Sequence, residues 1–109
     1  YKVIEFPLHV MDVSLFKYMN LNFERAFDFF KIIVDKIKAS KGVLTFLWHN
    51  NMSSSEQLIF YEKCLNYLSE NNAWITSHEK IYQNLRNQNY FLNQKNLLKS
   101  IINENRISL

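Results

Sequence analysis

Few side chains in this sequence are suited to moving protons. The chain has three histidines, His9, His49 and His78, and a single thiol, Cys64. His49 stands out by its surroundings. It belongs to "VLTFLWHNN", residues 43–51, where an apolar run passes abruptly into Trp48, His49, Asn50 and Asn51. An imidazole at the end of such a run has partly desolvated neighbours, and it can act as acid or base near neutral pH. The same ring can also be a structural hydrogen-bonding group, and the local pattern leaves both readings open. Asp12 closes another apolar segment, 49 − 12 = 37 positions upstream. His9 fits a half-buried, hydrogen-bonded histidine, and His78 a solvent-facing residue in the first turn of a helix. Cys64 lies in an apolar helical pattern and reads as a small core residue.

Other chemistries find no support. There is no HExxH, no CxxC pair and no phosphate-binding glycine loop, and the single glycine excludes a GxSxG elbow. Three isolated histidines with one nearby acid do not make a closed metal set. One cysteine forms no internal disulfide.

The elements that must carry these residues follow from periodicity. "YKVIEFPLHVMD" suits a strand ending at Asp12, at a sheet edge or interrupted at Pro7, which lacks an N–H. In "NFERAFDFFKIIVDKIKASKG", Phe23, Phe27, Phe30, Val34 and Ile37 recur at spacings of three and four, which predicts a helix with one buried face. Asn22 caps its start, and Gly42 is placed for the left-handed position after its end. "VLTFLW" is a short strand, apolar on both faces and so expected to be covered on both sides. "SSSEQLIFYEKCLNYLSENN" is a second helix, capped by Ser54 or Ser55, with Leu58, Tyr61, Leu65 and Leu68 on one face. "AWIT" reads as a third strand, with Ser77 capping a helix through "HEKIYQNL".

The order β-α-β-α-β-α, with a helix in each crossover, predicts an α/β fold with parallel strands. Parallel sheets bind ligands at the carboxyl ends of their strands. Here those ends carry His9 and Asp12, then His49, Asn50 and Asn51, then Thr76, Ser77 and His78. Residues 1–85 form the folded portion on this reading. Residues 86–109, rich in Asn and Gln, form a frayed tail or weak helix using Leu97, Leu98, Ile101 and Ile102.

Totals narrow the class further. At 109 residues, 48% of them hydrophobic and 16% aromatic, the chain has material for one small core. The net charge of +3 is spread among mixed signs without a basic run of five, which argues against nucleic-acid binding. No apolar run approaches the ~20 residues that span a bilayer.

"FPLHVMDVSL" followed by "LTFLWHNNMSS" resembles the C-terminal half of NodB-type polysaccharide deacetylases, more narrowly a bacterial subgroup with an MD-x-[ST]-L strand and an LWHN strand. The likeness covers about Ile4 to Ile81. It implies part of a distorted (β/α) barrel of about seven strands that hydrolyses acetyl groups on a polysaccharide or other acetylated glycan. In that family a divalent metal such as zinc and a catalytic base sit in N-terminal "TFDD" and "HxxxH" motifs. Neither occurs here, so no cofactor site is expected in this chain, and the missing N-terminal half of the barrel becomes its expected partner. Leu47-Trp48-His49 matches the family's closing Leu-x-His. The resemblance makes His49 the catalytic acid and Asp12 the carboxylate that hydrogen-bonds it and stabilises the imidazolium. Leu47 would line the pocket for the acetyl methyl, with Trp48 and Asn50 beside it as substrate-binding residues.

Two other classes compete with an incomplete deacetylase. One is a non-catalytic barrel half or binding module. The other is a phosphoacceptor or flavodoxin-like domain, which needs an acidic cluster or phosphate loop that Asp12 alone does not supply. Strands cut from a barrel would leave open edges, so marginal stability or self-association is also expected.

Overall fold

The computed structural model describes residues 3–89, 93, 95–97 and 99. The chain divides into two compact units, Tyr1–Ile75 and Thr76–Leu109. The first unit holds β1 (Val10–Met11), a π-helical turn (Ser14–Tyr18), α1 (Phe23–Ala39), β2 (Phe46–Leu47) and α2 (Ser55–Glu70). The second holds α3 (His78–Asn87).

β1 and β2 form a parallel two-stranded sheet with Val10 opposite Phe46 and Met11 opposite Leu47. The α/β class and the parallel β-α-β unit agree with expectation. The strands are much shorter than the periodicity suggested. Residues 3–9 have no regular structure, and Pro7, which removes a ladder donor, lies within that stretch. The third strand at "AWIT" is absent: residues 73–77 carry no strand, and Trp74 and Ile75 are each 59% exposed. A strand exists only by pairing, and β propensity cannot supply the neighbour.

α1 begins where expected, with the Asn22 side chain accepting the Arg25 N–H at 2.8 Å. Ala26, Phe30 and Val34 form its buried stripe, while Phe23 sits at the rim, 37% exposed. The C-terminal detail differs from expectation. Lys41, not Gly42, takes the left-handed conformation (φ 55°). Lys41 N–H donates to Lys38 O at 3.0 Å and Gly42 N–H to Ile37 O at 2.9 Å, so glycine occupies the position one further on. What favours glycine there is space: a Cβ at position 42 would lie 3.2 Å from Ser40 Oγ.

α2 starts with a reciprocal cap. Ser54 Oγ accepts the Gln57 N–H, and Gln57 Oε1 accepts the Ser54 N–H at 3.0 Å. Its buried stripe is Phe60, Cys64 and Leu68, rotated from the expected face so that Leu58 is 50% exposed. Phe60 wins because it reaches Phe16, Phe23, Phe27 and Trp48 at ring separations of 5.1–6.5 Å. The small Cys64 lets the backbones approach, and its burial pushes the thiol up to about 12, the behaviour of a core residue.

Contacts between the helices keep a constant offset: Phe27 to Phe60, Asp35 to Tyr67 (2.7 Å) and Lys38 to Asn71 (3.0 Å). α1 and α2 therefore run parallel, as helices following two parallel strands must. The core lies between them and one face of the sheet, where Leu44, Phe46 and Trp48 pack on the buried cluster. The expectation that "VLTFLW" is covered on both faces does not hold, since Leu47 on the opposite side is 40% exposed. Side chains alternate along a strand, and helices cover one side only.

In the second unit the Ser77 side chain accepts the Lys80 N–H at 3.3 Å and caps α3 as predicted. Beyond α3, residues 93, 95–97 and 99 are helical; Leu98, Ile101 and Ile102 of the expected tail lie outside the described residues. No helix among the described residues is long and apolar enough to cross a membrane.

Candidate functional site

β1 ends at Met11 and β2 at Leu47, so their parallel register carries Asp12 and His49 past the same end of the sheet. There the two side chains meet. Asp12 Oδ1 lies 2.6 Å from His49 Nδ1, and Asp12 Oδ2 accepts the His49 backbone N–H at 2.6 Å. The Val13 N–H also donates to Oδ1 at 2.6 Å. The carboxylate is completely buried, whereas the His49 side chain is 42% exposed.

Burial alone would push the Asp12 carboxyl up. The His49 backbone N–H, the His49 ring, the Val13 N–H and attraction to the ring more than offset it, holding the group below its ordinary 3.8. Asp12 is thus ionised at neutral pH and can only accept. Nδ1 must carry the hydrogen it shares with Asp12, and Nε2 is the ring nitrogen that can pass a proton to a bound molecule. One buried carboxylate thus binds both the backbone N–H and the ring of a half-exposed histidine and fixes the orientation of that ring.

The turn after β2 is tied down as well. Met52 N–H donates to His49 O at 3.1 Å, and the Trp48 indole N–H donates to Met52 O at 3.0 Å. Gln57 Nε2 contacts Met52 Sδ at 3.5 Å, linking the turn to the cap of α2. The Trp48 ring lies against Phe46, Phe60 and Tyr61 with centroids 4.9–6.0 Å apart. Leu47 and Asn50 are both exposed beside His49 in the chain.

The other sequence candidates have separate local partners. His9 is half-buried; its Nδ1 accepts the Thr45 N–H at 3.2 Å, and its own backbone N–H donates to Thr45 O at 3.1 Å. That is the satisfied structural histidine its context suggested. Ser77 serves as the α3 cap, and His78 is the first residue of that helix, in the second unit. The contributions of Val13, Met52 and Gln57 were not anticipated. Only Gln57 had a visible signal, the Ser-x-x-Gln spacing of a capping box.

Among the described residues no three His, Cys, Asp or Glu side chains converge as metal ligands. The donors present, one buried carboxylate already bound by three N–H groups and one imidazole, are too few to hold a divalent ion. No protein-family model matches the chain, and no curated protein or solved structure matches it either.

Proposed function

We propose that this chain is the C-terminal part of a metal-dependent carbohydrate deacetylase, a sector of a distorted (β/α) barrel that contributes the catalytic acid but not the metal site. The observation that carries the reading is the Asp12–His49 contact of 2.6 Å at the carboxyl end of two parallel strands. The sequence likeness supports the same pair, since Asp12 lies in "VMDVSL" and His49 in "LWHN". The open sheet face that carries Leu47 would face the barrel interior.

In this reading His49 Nε2 donates its proton to the leaving nitrogen or oxygen as the bond to the acetyl carbon breaks. Asp12 holds the ring in one orientation and stabilises it while protonated. Leu47 and Asn50 border the acetyl group and the sugar, whereas the Trp48 ring, expected from the sequence to join them, packs against Phe46, Phe60 and Tyr61. The divalent metal and the base would come from the N-terminal half of the complete protein.

The test is His49→Ala in the intact enzyme, with acetate release from N- and O-acetylated oligosaccharides as the readout. Turnover should drop by about 10²–10⁴-fold, the usual contribution of a general acid. Unchanged turnover would leave the chain a barrel half that binds without catalysing. Upstream "TFDD" and "HxxxH" stretches in the same reading frame would favour the enzyme, and their absence the binding module.

A further inference from the structure

We infer that Trp48 is a positioning residue for His49: its indole N–H locks the turn that presents the imidazole to Asp12, and its ring serves this lock and not a substrate. The inference builds on His49 being the working acid, although the geometry behind it does not depend on the reaction.

Two bonds meet at Met52. Its N–H closes the turn onto His49 O at 3.1 Å, and its carbonyl accepts the Trp48 indole N–H at 3.0 Å. The residues on either side of the His49 peptide are therefore joined to one point four residues beyond Trp48. The ring cannot swing away, because Phe60 stacks on it at 6.0 Å and 24°, and Tyr61 lies at 4.9 Å. Both partners stand on α2, whose capping residue Gln57 also touches Met52 Sδ at 3.5 Å. A strand tip two residues past its last ladder pair would otherwise have wide freedom in φ and ψ. Asp12 can receive both the backbone N–H and Nδ1 of His49 only while that peptide keeps one orientation.

Phe46 and Trp48 pack on the core cluster and the Trp48 ring on the α2 aromatics, whereas the His49 side chain, one residue further on, is 42% exposed. Such a placement is wrong for a sugar-stacking ring and right for a strut. Polar glycan contact would also compete with the Met52 carbonyl for the indole N–H.

The experiment uses the full chain with ¹⁵N-labelled histidine and backbone. Trp48→Phe keeps an aromatic ring and removes the donor. A second variant replaces the indole by its benzothiophene isostere, which keeps the stacking area and lacks the N–H, so a folded sample is obtained even if phenylalanine disrupts packing. Met52 amide exchange should speed up about fivefold, the loss of one net hydrogen bond. The His49 Nδ1 signal, set by its bond to Asp12, should move in both variants, with the bulk of the methyl spectrum unmoved. In the intact enzyme kcat should fall with KM unchanged. Unaltered His49 ring signals in both variants, or a rise in KM at constant kcat, would overturn the inference. Should His49→Ala leave turnover intact, the acid assignment fails while the ring signals still decide the role of Trp48.

Discussion

On the helix side of the β1–β2 sheet, Leu44, Phe46 and Trp48 join the buried cluster, with Phe30 5.2 Å from Phe46. On the other side Leu47 is 40% exposed, and past the strand end the His49 side chain is 42% exposed. The same six-residue run supplies both. Alternation along a strand sends neighbours in opposite directions, so one segment can anchor the core through Phe46 and leave Leu47 open. The covered side contributes stability through area removed from water. The open side contributes little stability and keeps its residues available to a ligand.

The contrast breaks most visibly at Phe30, which is fully buried. Phe30→Ala should cost about 4 kcal/mol through lost contacts and the cavity left behind, read as a lower urea midpoint. Next comes Asp12, which sits at the boundary. Asp12→Ala strands the Val13 and His49 donors and should cost on the order of 3 kcal/mol in the same assay, the exposure of His49 keeping it short of a fully buried pair.

Acid should reveal the same group. The folded-state pKa of Asp12 lies below 3.8, so between the two values the unfolded chain binds more protons. Its stabilisation is fully present above pH 3.8 and is lost as pH falls through the folded value. Unfolding midpoints should drop on acidification in that window, and Asp12→Asn should flatten this part of the profile. The smallest effect belongs to the open face. Leu47→Ser should change stability by no more than about 0.5 kcal/mol, and a larger loss would mean that this face is covered after all.

Much of the helical architecture was legible from residue types. Asn22, Ser54 and Ser77 cap helices because their side-chain oxygens reach orphan N–H groups within the same turn, a purely local matter. The apolar stripe of α1 was readable for the same reason. The stripe of α2 was not, because Leu58 and Phe60 were both plausible inward residues, and the choice was made by Trp48 and the α1 phenylalanines. The strand at "AWIT" failed similarly: its composition suits a sheet, but pairing needs a partner in space.

The candidate site divides along the same line. Residue chemistry singled out His49 at the end of an apolar segment, and the family resemblance paired Asp12 with it. That Asp12 accepts three N–H bonds, that the His9 ring binds the Thr45 N–H and that the Trp48 indole binds Met52 O were decided by tertiary structure. Caps and helical stripes depend on neighbours a few residues away, whose geometry the backbone imposes. A contact across 37 positions depends on strand register and helix packing, which are set only when the whole unit closes around its core.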